Sequence, residues 1–165
     1  MSTFALLAEF DHEMAGTRRL LERVPEQAWT WAPHPKSFTL AGLATHLSRL
    51  PHWGRTILGT AQYDITRDGS PQAPPADSLA EVLATFDANV AAIRAQLQSL
   101  SDAEMAAPWS LLRDGQVLMT LPRMAAFKTF IINHAIHHRG QLTVYLRLQD
   151  VPLPGVYGPS ADERM

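Results

Sequence analysis

Inward-facing positions recur at alternating intervals of three and four over four long stretches of the chain, as on one face of an α-helix. The first stretch ends at Pro25, which cannot continue a helix. Its inward positions are Leu7, Phe10, Met14, Thr17, Leu21 and Val24. The second stretch can be capped by Ser37 or Thr39 and ends near Gly59, with a kink or local irregularity expected at Pro51. Its inward positions are Leu43, His46, Leu50, Trp53 and Ile57.

The third and fourth stretches show the same helical spacing over a greater length. Ser78 and Glu81 form a capping box at the start of the third, and its broad apolar face predicts a helix. That face consists of Leu79, Val82, Leu83, Phe86, Val90, Ile93 and Leu97. The fourth stretch keeps the spacing throughout, at Met124, Phe127, Ile131, His134, His138, Gln141, Tyr145 and Leu148. Two histidines and a glutamine therefore occupy positions where a helix normally places apolar core residues.

Three longer connections separate the predicted helices. The first, at 25–37, carries three prolines and two tryptophans, and predicts an ordered loop packed by Trp29 and Trp31. The second, at 61–77, is polar and rich in proline, as expected of a crossing between distant helix ends. The third, at 99–120, contains the sequence Arg-Asp-Gly-Gln between short apolar runs. We expect irregular structure there with one turn at Asp114–Gly115, and a small hairpin is the alternative.

The length and composition limit the number of domains. A chain of 165 residues with 46% hydrophobic content can bury one sizeable core but not two. Together with the helical spacing, this predicts an all-α fold in a single domain over residues 1–165, a four-helix bundle with long crossover loops.

Charge and hydropathy limit the classes of binding partner that can be expected for this chain. The net charge of −2 and the pI of about 6.4 supply no basic field, so binding to nucleic acid or to an anionic membrane is not expected. No stretch approaches the ~20 apolar residues of a membrane span. Glu9 and Asp11 interrupt the apolar run near the amino terminus before a signal core is complete. These features predict a cytoplasmic location.

Three of the seven histidines are candidates for a metal site. A buried neutral imidazole costs free energy unless both of its nitrogens find partners, and an apolar helix face offers few. His134 and His138 lie four residues apart, so they point the same way and can reach one divalent ion. His46, on the inward face of another helix, can supply the third ligand. Three neutral imidazoles leave an open coordination position, as in catalytic sites.

The remaining histidines are not expected to bind the ion. A single histidine on an apolar face is more often a core residue bonded to a carbonyl group or a buried water, and His12, His34 and His52 are assigned to such ordinary roles. His137 lies about 100° around the helix from His138, at the flank of the inward line.

Residue types exclude several metal-site families. A zincin requires a glutamate directly after the first histidine, but Ala135 follows His134. A ferritin-like di-metal centre requires bridging carboxylates, and no acidic residue occurs from 121 to 149. No attachment motif supports haem. The absence of cysteine excludes thiolate ligands and disulfides, so thiol chemistry would need a thiol from outside the chain. A mononuclear site is therefore preferred.

Three segments resemble the DinB/YfiT-like superfamily. These are LATHLSRLPHWG in the second helix, NHAIHHRGQL in the fourth, and ERVPEQAWTWAPHPKSFTLAGL at the entry to the second helix. The ending HxxxHRGQ, joined to a histidine in the second helix, is the specific part of the resemblance. Helix order and loop lengths agree over almost the full chain.

The resemblance implies a four-helix bundle, frequently a homodimer, with a three-histidine site for a divalent ion such as nickel or zinc. The ligands carried over are His46, His134 and His138. Characterised relatives include transferases that add low-molecular-weight thiols to electrophiles and a thiol-dependent isomerase, whereas many others have no assigned reaction. From the residues alone, iron and manganese remain possible, because three imidazoles bind all of these metals.

Two classes of function remain open at this point. One is a metal-dependent thiol S-transferase, or a related hydrolase or isomerase, acting on a small-molecule substrate. The other is a metal-binding stress or interaction protein that does no chemistry. Gln141, Tyr145 and His137 are candidates for orienting a ligand or contacting the substrate. For Gln141 and Tyr145, structural packing is the equal alternative. Arg139 is assigned to pairing with an acidic surface group or a substrate carboxylate, and Gly140 to close approach of two helices.

Overall fold

The computed structural model describes residues 2–69 and 74–163, and helices dominate it. Residues 70–73 of the proline-rich connection lie outside the described residues. The helical segments are α1 (Thr3–Leu21), a 3₁₀ turn (Glu26–Ala28), α2 (Leu40–Gly59), α3 (Leu79–Ser99), α4 (Asp102–Ala106), α5 (Arg123–Phe127), a π-helical segment (Lys128–Asn133) and α6 (His134–Leu148). No helix among these residues is both long and apolar enough to span a membrane.

Side-chain caps begin the long helices where the sequence predicts them. Of the two candidates for α2, Thr39 is the cap, because its hydroxyl accepts a hydrogen bond from the amide of Gly42. The Ser78 hydroxyl caps α3 in the same way, at the amide of Glu81. The carboxylate of Glu81 instead accepts from the amide of Asp77, so the predicted box is realised in one direction only. Such caps satisfy amides that the helix itself leaves without a partner.

The long helices pack around one apolar core. Both α1 and α2 lie against α3 and α6. Gly54 lets α2 approach its neighbours, since a Cβ atom there would lie 3.0 Å from both Ile93 and Phe127. The close-approach role predicted for Gly140 is wrong, because that residue is exposed and faces open space. The helix α2 also runs as one element through the buried Pro51.

A small mixed sheet corrects the predicted fold class. Strand β1 (Gln62–Asp64) runs parallel to β2 (Pro108–Arg113), and β2 pairs in antiparallel register with β3 (Gln116–Pro122), in the order β1-β2-β3. The all-α prediction is therefore wrong, and the chain is α/β. The sequence predicts irregular structure over most of 99–120, with a small hairpin as the alternative. The structure contains the hairpin, formed by β2 and β3.

The physical reason for the hairpin lies in its two-residue turn. Asp114 and Gly115 have φ values of 51° and 76°, and the tight turns that match strand twist require positive φ at both central residues. Asp64 fixes this turn to β1, because its carboxylate accepts hydrogen bonds from the amides of Gly115 (2.7 Å) and Asp114 (3.2 Å). These hydrogen bonds, first that from Gly115, hold the pKa of the Asp64 carboxyl below its usual value.

The last helical stretch is interrupted where the sequence predicts one continuous α-helix. Between α5 and α6 the backbone widens into the π-helical segment Lys128–Asn133. Two consecutive residues of this segment, Ile131 and Ile132, are both fully buried. The widened turn ends immediately before His134, the first residue of α6.

Candidate metal centre

Three histidines from two helices converge at the interface between α2 and α6. His46 comes from the middle of α2, and His134 and His138 form the first turn of α6. One nitrogen of each ring lies within 4.8 Å of the others. The Nε2 atoms of His134 and His138 are 2.8 Å apart, and those of His46 and His134 are 3.4 Å apart. The structure therefore brings together the three residues selected from the sequence.

The spacing of these nitrogens fits a single divalent ion. Nitrogen ligands bind zinc at about 2.0–2.1 Å, which places two of them roughly 2.9–3.4 Å apart for angles between octahedral and tetrahedral values. The separations of 2.8 and 3.4 Å lie close to the two ends of this range. Two of the three pairs of ring nitrogens therefore have separations compatible with binding one ion.

A hydrogen bond on the far side of His138 places the hydrogen of that ring. The Nδ1 atom of His138 is 2.7 Å from Oε1 of Gln141, and an amide oxygen only accepts, so Nδ1 carries the hydrogen. Each neutral imidazole has one hydrogen, so Nε2 of His138 presents a lone pair. This atom lies 2.8 Å from Nε2 of His134, and a cation between the two rings could bind there.

Burial keeps all three imidazoles in the neutral form that a metal requires. Burial, followed by the neighbouring His138 and His134 rings, lowers the pKa of His46 to about 4. Burial is also the largest cause that lowers the pKa values of His134 and His138. At neutral pH the site thus offers uncharged rings, and protons do not compete for the metal-binding nitrogens.

One side of the cluster is bounded by Phe38, which lies just before the cap of α2. Its ring is stacked on His46, with centroids 5.7 Å apart and planes at 17°, and meets His138 nearly edge-on at 6.2 Å. Phe38 lies in the loop before α2, outside the helical periodicity of the sequence. Its place directly before the cap Thr39, where an apolar residue often packs on the first turn of the helix, is the signal that could have identified it.

The three accessory candidates have different surroundings. Gln141 is exposed and bonded to His138, so it can fix the orientation of that ring. The hydroxyl of Tyr145 donates to the carbonyl of Phe38 at 3.2 Å, which supports the loop beside the site. His137 is exposed, with its ring centroid 4.9 Å from that of His138. His12, His34 and His52 are all exposed and lie outside the cluster.

Arg139 follows His138 directly, but it belongs to a separate buried cluster. Its guanidinium donates to the carboxylate of Glu13 at 2.6 Å, to the Glu13 carbonyl at 2.9 Å and to the hydroxyl of Tyr157 at 2.6 Å. The side chain is 3% exposed. The assignment to an acidic surface group or a substrate carboxylate is therefore wrong, because the partner is a buried glutamate of α1.

Comparison with known proteins places this architecture in a family. The model of the DinB family matches residues 1–164. A DinB-like protein from Bacillus cereus superimposes with a TM-score of 0.75 at 22% identity, covering 94% of this chain and 98% of that protein. The DinB-like protein YjoA from Bacillus subtilis superimposes with a TM-score of 0.71 at 15% identity, covering 98% of this chain and 99% of that one.

A shorter stretch resembles a curated protein. It is 50% identical over 34 residues to the uncharacterized protein YrdA of Bacillus subtilis. That match takes in 21% of this chain and spans about a fifth of the relative's length. The family match, in contrast, extends over nearly all of the sequence, and both solved structures share the fold. The chain belongs to the DinB family.

Proposed function

We propose that His46, His134 and His138 bind one divalent metal ion, and that the protein is a metal-dependent transferase that joins a small thiol to an electrophile. The observation that carries the metal site is the convergence of one nitrogen from each ring within 4.8 Å of the others, with the Nε2 atoms of His134 and His138 2.8 Å apart. Gln141 holds the hydrogen of His138 on Nδ1, so the Nε2 atom of that ring has a lone pair available. A cation at this point would be bound through the ring nitrogens.

The donor set favours nickel or zinc. Imidazole nitrogen is a borderline ligand that suits zinc, nickel, copper and iron, whereas manganese prefers oxygen. No carboxylate joins the three rings in the described part of the chain. Three neutral ligands leave the full charge of the ion in place, and a bound divalent ion lowers the pKa of a water or thiol in its open position.

The remaining chemistry follows from this chain's own residues. Gln141 holds the hydrogen of His138 on Nδ1, so that Nε2 faces the site as an acceptor. The ring of Phe38 lies nearly parallel to that of His46, with centroids 5.7 Å apart, and borders the site on that side. Because the chain contains no cysteine, the nucleophilic sulfur would come from a free thiol. The sulfur would give its electron pair to the electrophilic carbon as the bond from that carbon to the leaving group breaks. The leaving group would depart with that bonding pair, and the thiol proton would pass to solvent or to the leaving group.

Elemental analysis and metal titration test the metal site. The protein should be purified without a histidine tag, because a nickel column can load a chain with seven histidines. We expect about one equivalent of metal in the purified protein, and one equivalent of nickel or zinc taken up by the stripped protein. A His46→Ala variant should take up much less. Equal uptake by that variant and the unaltered chain would contradict the proposed ligand set.

A panel of thiols tests the reaction. Glutathione, bacillithiol, mycothiol and cysteine are each combined with a chromogenic electrophile and the metal-loaded protein. We expect turnover with at least one thiol, lost on metal removal and absent in His46→Ala. If the protein holds its metal and no thiol reacts across a broad set of electrophiles, the non-catalytic metal-binding function replaces the transferase.

A further inference from the structure

Phe38 is unusual among the aromatic residues near the site because it is both ordered by contacts and exposed. Its side chain is 49% exposed. Leaving a large apolar ring half in water forgoes hydrophobic stabilisation. The ring nevertheless stays parallel to that of His46, 5.7 Å away, rather than folding into the core.

Two features hold the ring in this position. The backbone of Gly42 lies close beneath it, since a Cβ atom at that residue would be in van der Waals contact with the Phe38 ring, 3.4 Å away. The hydroxyl of Tyr145 donates to the Phe38 carbonyl at 3.2 Å. Tyr145 in turn packs edge-on against Trp31, with centroids 5.7 Å apart. The exposed Phe38 ring thus packs near the backbone of Gly42, and its own backbone is held by Tyr145.

The position of the Phe38 ring beside the three histidine nitrogens allows it to contact a ligand of the metal ion. It lies near-parallel to His46 and nearly edge-on to His138, so it borders the cluster from one side while its outer surface meets solvent. A small molecule that brings an atom to the ion from this side would lay its adjacent group against the ring. Flat or apolar groups gain most from such a contact, because aromatic pairs contribute about 0.5–1.5 kcal/mol beyond area burial.

We infer that Phe38 is a specificity-determining residue that selects ligands carrying an aromatic or other apolar group next to the atom that reaches the metal. This inference rests on the proposed metal site and adds the chemical class of the ligand. Tyr145 acts as a positioning residue, since it contacts the loop through the Phe38 carbonyl.

Binding of two thiols to the cobalt-loaded protein tests the inference without an activity assay. Cobalt(II) substitutes for a spectroscopically silent ion, and a bound thiolate gives it a charge-transfer absorption that can be titrated. Benzyl mercaptan and 2-mercaptoethanol have similar acidity but differ in the apolar group. We expect benzyl mercaptan to bind more tightly to the unaltered protein, by roughly threefold to tenfold, the range expected for one aromatic contact.

Variants assign the preference to the ring. Phe38→Ala should bring the ratio of the two affinities close to one while leaving cobalt binding unchanged, and Phe38→Leu should retain part of the preference. Tyr145→Phe should reduce the ratio less than Phe38→Ala does. Phe4→Ala is the matched control, because Phe4 is 81% exposed on α1 and should leave the ratio unchanged.

The remaining outcomes contradict either the role of Phe38 or the metal site itself. If the unaltered protein binds both thiols equally, or Phe38→Ala keeps the preference, Phe38 does not select ligands. If Phe38→Ala loses cobalt, the ring serves to shield the ligand His46, and the specificity role is excluded. If the unaltered protein takes up no cobalt, the proposed metal site itself fails, and this outcome is distinct from the others.

Discussion

Two polar clusters begin at adjacent residues of α6, one buried and one partly exposed, and they differ in how their polar atoms are satisfied. Arg139 finds a carboxylate, a carbonyl and a hydroxyl within 2.9 Å, all supplied by the same chain. His138 finds Gln141 on one side, and on the other its Nε2 atom faces that of His134 at 2.8 Å. The two side chains leave the helix about 100° apart, so one cluster packs against α1 and the other against α2.

Hydrogen-bond partners separate a structural polar cluster from a candidate functional one. A buried charge that its own chain neutralises contributes to the folded state. Ring nitrogens that converge on one point have lone pairs that an ion from outside can bind. Arg139 and His138 are both buried polar residues, and their hydrogen-bond partners distinguish them.

The largest effect is expected from breaking the satisfied cluster. Glu13→Leu leaves the Arg139 guanidinium buried without its carboxylate, which should lower the free energy of unfolding by about 3–5 kcal/mol in urea titrations. Metal affinity should be unchanged. The double variant Glu13→Leu/Arg139→Leu should recover part of the loss, because it removes both charges. No recovery in the double variant would show that the charge is not the cause.

A substitution in the histidine cluster should not lower the stability of the metal-free protein. Without metal, His134→Leu should be at least as stable as the unaltered protein, because it replaces a partly buried imidazole with an apolar side chain. With metal at 100 times its Kd, the unaltered protein should gain about 2.7 kcal/mol in unfolding free energy, and the variant should gain almost nothing. Thermal melts with and without chelator measure both. A variant that is destabilised without metal would indicate that the three rings satisfy one another.

A smaller effect should follow from altering the support of one ligand. Gln141→Leu removes the acceptor that orients His138, and such losses reduce metal affinity by about 10–100-fold. His137→Ala is the control, since that exposed ring lies at the flank and should leave affinity within the same order of magnitude. If His137→Ala abolished binding and His138→Ala kept it, the assigned ligands would be wrong.

The smallest effect should be the pH dependence of the metal-free protein, because the rings are partly exposed and solvent screens them. The pKa of His46 is about 4 in the folded chain and near 6.5 when unfolded. Between these values the unfolded state binds the proton and the folded state does not, so stability falls as pH decreases from 6.5 to 4. Urea midpoints across this range measure the fall, and His46→Phe should reduce its slope. An equal slope in that variant would place the proton uptake elsewhere.

The parts of the structure set by local spacing were predictable from the sequence. Helix positions follow from apolar periodicity, and His134 and His138 share a face because they are four residues apart. The spacing alone does not say which helix faces these two histidines. Choosing His46 assumed that the inward residues of α2 and α6 lie at the same level along the helix axes. The position of His46 in the structure bears out that assumption.

The parts set by long-range pairing were not predictable. Strand β1 has three residues and pairs with a partner about fifty positions away, so no local pattern marks it. The hairpin did carry a local signal at Asp114–Gly115. Its second strand has three consecutive exposed apolar residues, Val117, Leu118 and Met119, and therefore lacks the alternation typical of a strand. Arg139 was misassigned because its partner lies 126 residues earlier in the chain.

The π-helical segment before His134 has a consequence for how the site tolerates changes in chain length. Each residue added to or removed from a helix rotates everything beyond it by about 100°. The segment Lys128–Asn133 therefore sets the angle around the helix axis between the apolar residues of α5 that pack in the core and the two rings that face His46. A chain one residue shorter here could regain a regular helix, but its first turn of α6 would then direct the two imidazoles away from α2. The π-helical turn therefore sets the rotation about the helix axis at which α5 packs in the core while His134 and His138 face His46.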